Sequence, residues 1–473
     1  MRPWILLLIG LLALAAAPTA HADEPARTAE DEVRDHAARF AVPATAAVVV
    51  RPDGTVATVL HGRTSDGLPT TPDTRFRIAS MSKAFTAVAV LRLADEGRLR
   101  LDQPVSELLP GFSTAAPRGR PITVRDLLAH TSGLAAADVD EFALPPPGSA
   151  QEVVDGLAGV PPAREPGVAH EYLNAHYTVA ARLVEVLSGR PFPDHLRNAV
   201  LLPLGMTSTV VTARCDDAVP GLAHGHVGAL GVQVAVPEIP AFCLGDAGLV
   251  TTAADMTRWL RFQLGDGAPL LRPDTLRASH TASPGTAGRY GLGWSLRSGE
   301  DGPRVLHGGL VSTYTSAIEF SPGEAGAVVL TDTGDVTGSP GTLARRLTTL
   351  AGGGAVGPWP SEPKLVLDRV LAGLTVGAAV ALAVAVARAP RRAAGLRGRR
   401  RPVSSPLLAV AVGIALLPTI WALFSGPSLT GWVMALWLLP TAAVLAAVLV
   451  LGGTAALAAR SRARRALFRG AVR

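Results

Sequence analysis

Phe76 to Thr86 reads FRIASMSKAFT, and within it Ser80 and Lys83 stand three residues apart. On a helix that spacing puts both side chains on one face, a turn apart. A serine hydroxyl is a weak nucleophile until a neighbouring base takes its proton. A lysine can be that base where burial or nearby positive charge lowers its pKa. The N-terminal end of a helix also favours the developing alkoxide. An ordinary surface lysine would give the same letters, but the chain has only two lysines, Lys83 and Lys364. Lys83 sits in an otherwise apolar run, where an idle charge is costly.

Two further groups could complete such a site. Tyr172-Leu173-Asn174 lies 92 residues after Ser80, in a chain with only four tyrosines. A phenol beside a lysine can serve as acid or base, and a carboxamide can bond both the lysine and a substrate amide. His307-Gly308-Gly309 closes a predicted strand, and its small residues would let a substrate lie along the strand edge. Alone, the first reads as a packed loop tyrosine and the second as a glycine-rich strand end. His224 and His226 lie between Cys215 and Cys243, but their spacing fits no zinc pattern. His130 and His170 read as structural hydrogen bonders and Tyr177 as a packing residue. No cofactor or metal is called for.

In order, Ser80-x-x-Lys83, Tyr172-x-Asn174 and His307-x-Gly309 resemble the class C β-lactamase family, with its related D-alanyl-D-alanine peptidases and esterases. The phrases HTSGL at 130–134, YLNAHYTVAARLVEVLSG at 172–189, GDAGLVTTAADMTRWL at 245–260 and YGLGWSL at 290–296 look like it too. The resemblance covers roughly residues 30–350. It implies that Ser80 attacks a carbonyl and becomes acylated, and that Lys83 and Tyr172 share the base and acid work. Asn174 would orient Lys83 and the substrate. His307 to Gly309 would line the strand on which the substrate lies. The backbone N–H groups of Ser80 and Leu310 would form the oxyanion hole, in which one donor is typically worth about 100- to 1,000-fold in rate. One departure bears on specificity: the β-lactamases of the family read K-T-G where this chain reads His-Gly-Gly. Lysine brings a permanent charge for a substrate carboxylate, whereas histidine is mostly neutral near pH 7. Peptidase or esterase activity therefore ranks ahead of β-lactamase activity.

The elements that must hold these residues are legible in outline. Residues 30–40 suggest a helix. Ala44–Val50 and Thr55–His61 form a hairpin around Pro52-Asp53-Gly54. Ser80 to Glu96 has helical apolar spacing and stops at Gly97, and Asn174 to Ser188 stops at Gly189. Further strands are predicted at Tyr290–Leu296, Arg304–His307, Thr313–Phe320 and Ala327–Thr331. Strands at both ends with helix and loop between predict an α/β (α+β) domain. Its antiparallel sheet is built from both ends, with helices on its faces and a mostly helical insertion.

At 473 residues and 48% hydrophobic, with a mean hydropathy of +0.31, the chain is expected to hold membrane segments. From Arg388 onward there are 13 Arg and no Asp or Glu, which leaves 31 basic and 38 acidic residues in the first 387. The bulk is acidic, so nucleic-acid binding is not expected. Met1–Ala22 reads as a signal peptide ending in Ala20-His21-Ala22, or else as a retained anchor. The hydrolase domain would run over 23–355. A membrane domain at 356–459 would come next, with spans at about 370–387, 405–425 and 431–459. The Arg-rich loop and the tail 460–473 then lie in the cytoplasm and the catalytic domain outside. Trp359, Trp421 and Trp432 would mark the outer interface. Export permits a Cys215–Cys243 disulfide.

The expected partners are a small-molecule or peptide substrate and the membrane. A different class remains open: a membrane-bound sensor or binding module that keeps the fold without turnover. A transporter is disfavoured because the expected spans hold no charge.

Overall fold

The computed structural model describes residues 27–109, 111–114, 119–139, 141, 145–299, 302–335, 337–389, 406–407, 409–414 and 440–470. A six-stranded antiparallel sheet organises the chain up to Trp359. Its strands are β1 (Ala44–Val50), β2 (Val56–Gly62), β3 (Ser295–Gly299), β4 (Gly302–Leu310), β5 (Thr315–Phe320) and β6 (Gly326–Thr331), in the order β2-β1-β6-β5-β4-β3. The first and last strands meet at the centre, where Val48 faces Val328 and Ala46 faces Leu330. The sheet is thus built from both ends of the domain, and the intervening residues are inserted into it.

β1 reads ATAAVVV and is buried along its whole length, as expected for a central strand covered on both faces. Alternate residues serve two cores. Ala46, Val48, Val328, Leu330 and Ile318 face the inserted helices. Ala47, Val49, Val329 and Ala317 face α1 (Ala29–Phe40) and a C-terminal helix over Ser339–Ala351. The inserted layer carries α2 (Ser82–Asp95), α3 (Ala150–Gly156), α4 (Asn174–Ser188) and α5 (Ala253–Leu264), which makes the Ser339–Ala351 helix α6. α2 is buried nearly all round, and its Phe85 ring stacks on Trp259 of α5 at 3.5 Å between centroids. A helix without a polar face belongs inside a large core.

The structure corrects several expectations. Ser80 precedes the α-helix and sits in a one-turn 3-10 helix, Ala79–Met81, that feeds into α2. The strand expected at Tyr290–Leu296 begins only at Ser295. Gly293 adopts a left-handed φ of +88°, and a Cβ there would lie 2.8 Å from the Ala87 methyl of α2. The chain therefore dips under α2 instead of extending. A hairpin at His226–Ala229 and Val232–Ala235 was not anticipated, and it exposes Val232 and Val234. Trp359 is no interfacial residue: it is buried against Phe40 and His36, with the Arg346 guanidinium over its ring.

Two helices, not three, are long and apolar enough among the described residues to cross a membrane. They lie within α7 (Pro363–Ala387) and α8 (Pro440–Gly470), over Leu365–Ala387 and Pro440–Ala463. Gly452 of α8 lies against Leu382 of α7, the close approach that small residues permit between apolar helices. Residues 405, 408 and 415–425 of the expected middle span, and 431–439 of the last, lie outside the described residues. So do the expected signal segment, Trp421 and Trp432.

The first and last helices of the sheet domain are tied together by a buried ion pair. Arg346 of α6 holds Glu32 of α1 through two bonds, Nε to Oε2 at 2.5 Å and Nη2 to Oε1 at 2.9 Å. Arg346 also donates to the Gly357 carbonyl at 2.8 Å. Glu32 also accepts from Arg27 Nη1 at 2.9 Å, so removing Arg346 leaves it one partly exposed partner and costs less than the roughly 3–5 kcal/mol typical of a fully stranded buried charge. Arg346→Met is therefore expected to lower the unfolding free energy by about 2–3 kcal/mol. Glu32→Leu combined with Arg346→Met should recover most of the loss. Denaturant unfolding of the three proteins checks this, and a double variant no more stable than the single would refute it.

Candidate active site

The turn that carries Ser80 is under conformational tension. Ala79, just before it, holds a left-handed φ of +47° while fully buried, a conformation that costs a residue with a Cβ about 1–2 kcal/mol. Its neighbours hold it there. Ile78 N–H donates to the Leu249 carbonyl at 3.0 Å, and Met81 N–H donates to the Ile78 carbonyl at 3.1 Å. Ser316 Oγ of β5 donates to the same carbonyl at 2.8 Å. On β4, Gly309 lies so close that a Cβ would stand 2.0 Å from the Ile78 oxygen. Glycine at this position is what lets the strand edge press against the serine turn.

Lys83 is completely buried. Its ammonium donates to Ser80 Oγ at 3.1 Å, to Asn174 Oδ1 at 2.7 Å and to the Asp246 carbonyl at 3.2 Å. All three donor positions are taken. The Asp246 carboxylate lies further off, at 4.0 Å, and the Tyr172 ring lies under the ammonium with its centroid at 4.9 Å. The structure thus gathers Ser80, Lys83, Tyr172 and Asn174 at one point. Among the described residues the Tyr172 hydroxyl makes no hydrogen bond, and its ring is held from behind by His130, 4.3 Å away between centroids.

His307 is buried on β4, with its ring 6.5 Å from that of Tyr172. Its Nδ1 lies 2.7 Å from the Gly308 carbonyl and its Nε2 lies 3.3 Å from the Tyr290 hydroxyl. That network assigns a neutral tautomer in which Nδ1–H donates and Nε2 accepts. Burial, helped by the Lys83 charge, pushes its pKa down to about 4. Near pH 7 His307 brings no positive charge. Leu310 ends β4, half-exposed, and lines with Ser80 a cavity of about 550 Å³.

Sequence reasoning missed two carboxyl groups. Glu141 accepts from Asn174 Nδ2 at 3.0 Å and from Ala175 N–H at 2.7 Å. It thereby caps the N-terminus of α4 while steadying the carboxamide that holds Lys83. Burial raises its pKa to about 7, and the nearby Asp246 adds to the rise. Asp246 itself is pushed up to about 6 by burial, against the pull of Lys83. Asp246 stood inside the phrase GDAGLVTTAADMTRWL, but Glu141 obeys no periodic pattern and only proximity reveals it. His130 and His176, read from sequence as a structural residue and not at all, face each other at 3.0 Å between Nδ1 atoms. Cys215 and Cys243 are joined in a disulfide with Cα atoms 5.4 Å apart, so neither thiol is free for zinc. His226 Nδ1 lies 3.2 Å from the Asp332 carboxylate instead.

A two-ended antiparallel sheet, a helical insertion and a serine–lysine pair at their junction define a serine hydrolase fold of the β-lactamase and penicillin-binding type. Residues 29–352 match the family model described as Beta-lactamase, and the chain belongs to that family. It is 31% identical over 306 residues to Penicillin-binding protein 4 of Amycolatopsis lactamdurans, covering 59% of this chain and 77% of that one. Protein flp of Staphylococcus aureus is 29% identical over 269 residues, covering 55% of this chain and 53% of the relative, so the chain spans about half the length of that protein. Among solved structures, the octameric penicillin-binding protein homologue from Pyrococcus abyssi has a TM-score of 0.60 at 24% identity, over 72% of this chain and 80% of that one. That likeness is one of fold.

Glu141 gives the site a pH dependence of definite sign. Its carboxyl is protonated below about pH 7 and ionised above it, and only the ionised form accepts freely from both Asn174 and Ala175. The kcat/KM for an uncharged ester is therefore expected to rise through pH 7 with a slope of about one. Glu141→Gln should flatten that limb. A pH–rate profile of the variant that keeps the same inflection would refute the assignment.

Proposed function

We propose that the chain is a membrane-anchored serine hydrolase, acting outside the cytoplasm on amide or ester substrates through an acyl-enzyme on Ser80. The observation that carries this reading is the fully buried Lys83 ammonium, 3.1 Å from the Ser80 hydroxyl. Lys83 and Tyr172 share proton transfer. The Ser80 proton leaves as Oγ attacks the carbonyl, and a proton is delivered to the departing amine or alkoxide. Asn174 orients Lys83 and the substrate amide, and the N–H groups of Ser80 and Leu310 receive the oxyanion. His307 and Gly309 line the strand edge. Water then releases the acyl group and restores Ser80.

The neutral, buried His307 supports peptidase-like or esterase-like activity ahead of β-lactamase activity, because it offers no fixed charge to a carboxylate. Anchoring is supported by the two apolar helices. Export is supported by the disulfide and by arginines concentrated in 388–401 and 460–473. In this reading residues 1–22 direct export, 23–355 form the hydrolase domain, and 356–459 form the membrane domain with a cytoplasmic tail.

A fluorophosphonate or fluorescent penicillin probe should label the wild-type chain, with the adduct on Ser80 by mass spectrometry. Ser80→Ala should abolish labelling while the variant still unfolds cooperatively. An unlabelled wild type, under conditions that label active penicillin-binding proteins, would sink the proposal.

A further inference from the structure

The cavity beside Ser80 has a one-sided charge. Ser80, Asn174 and Leu310 line it, whereas Tyr172 and His307 do not, so it lies on the Asn174 side of the nucleophile. Its volume of about 550 Å³ falls in the range of small-molecule sites. Much of the wall is apolar, with Val139, Val153, Leu157 and Val160 among its residues. Its ionisable residues are Asp138, Glu141, Glu152, Glu238 and Asp246, and no Lys, Arg or His is among the described lining residues.

Three of these acids are engaged or turned to solvent. Glu238 receives Ser312 N–H at 2.9 Å, Thr313 N–H at 3.0 Å and Thr313 Oγ1 at 2.7 Å. Glu152 receives Gly148 N–H at 2.9 Å, and Asp138 is exposed. The other two stand at the nucleophile's end. Asp246 is only 5% exposed, and its Oδ1 has no hydrogen-bond partner. Its other oxygen lies 4.0 Å from the Lys83 ammonium, which itself donates to Ser80 Oγ at 3.1 Å. Glu141 accepts two N–H bonds and has no cation within ion-pair distance among the described residues. One buried and one half-buried carboxyl group stand near a single ammonium, so the site is short of positive charge. That arrangement costs free energy until a cation arrives.

Resting on the hydrolase reading above, we infer that the acyl half of the substrate is an apolar group bearing a protonated amine, which sits between Glu141 and Asp246. The substrate class is then an aminoacyl amide or ester with a free amine. In the reaction the bond from the carbonyl carbon to the leaving nitrogen or oxygen breaks and the Ser80 Oγ–carbon bond forms. The Ser80 proton passes to the leaving group; water then attacks the acyl-enzyme carbonyl, the carbon–Oγ bond breaks, the acid leaves and a water proton returns to Ser80 Oγ. The substrate ammonium takes no part in bond making. It supplies the missing charge and fixes the carbonyl over Ser80. An acyl group ending in a carboxylate would instead meet like charge.

The full-length chain in detergent tests this with three chromogenic substrates: phenylalanine p-nitroanilide and its N-acetyl and N-succinyl forms, each as both enantiomers. The free amine is expected to exceed the N-acetyl form in kcat/KM by about 10- to 100-fold, the worth of one charge-assisted hydrogen bond. The N-succinyl form should be slowest. Glu141→Gln should bring the ratio of free amine to N-acetyl close to one, with the loss in KM for the free amine. Fluorophosphonate labelling of Ser80 in the same samples reports an intact nucleophile. Labelled enzyme that prefers the N-acetyl form, shows no preference, or turns over no free-amine substrate overturns the inference and leaves the hydrolase reading standing. A preference that survives Glu141→Gln overturns the assigned anchor. Absence of both labelling and turnover overturns the hydrolase reading and the inference with it.

Discussion

A single buried ammonium sets the terms for this molecule. Lys83 has no contact with solvent, yet its three donors find Ser80, Asn174 and the Asp246 carbonyl. An uncompensated charge at that depth would cost several kcal/mol, so the three acceptors must arrive together. They come from the turn before α2, the first residue of α4 and the loop that precedes α5. The rest of the domain serves to bring these segments to one point. Thr86 Oγ1 donates to the Gly245 carbonyl at 2.6 Å and Leu249 N–H donates to Ser82 Oγ at 3.1 Å, binding α2 to the third segment along its length.

The sheet answers the same constraint from the other side. β4 and β5 grip the Ile78 carbonyl, Gly309 by close approach and Ser316 by a hydrogen bond. The serine turn is held between the sheet edge and α2, and the left-handed Ala79 persists because its neighbours determine it. Charge around the turn is sorted by side. The strand side presents neutral His307 and Tyr290, both hidden from solvent, while the cavity side presents carboxyl groups. The two sides of Ser80 therefore differ in their electrostatic surroundings.

Much of this was legible in the sequence for local reasons. Ser80 and Lys83 are three residues apart, so their meeting needs only one turn of chain. The β1–β2 hairpin announced itself by Val and Thr around Pro52-Asp53-Gly54, and α4 by its periodicity and the left-handed cap at Gly189. Where local signals competed with packing, the reading failed. YGLGWSL looked like a strand, but Gly293 folds beneath Ala87. Trp359 looked like a membrane-interface residue because it stands just before an apolar run, but Arg346 and Phe40 claim it from elsewhere.

Residue type, short spacing and composition were enough to single out Ser80 and its lysine, the family, the outline of the sheet and the apolar character of the C-terminal region. Signals of that kind survive without coordinates. The surroundings of Ser80, by contrast, came from packing alone. Glu141 reaches Asn174 from 33 positions away, Asp246 reaches Lys83 across 163, and His307 becomes neutral through burial against Tyr290. Such contacts are set by how the segments pack, and the desolvation that moves their pKa values exists only once the core has closed.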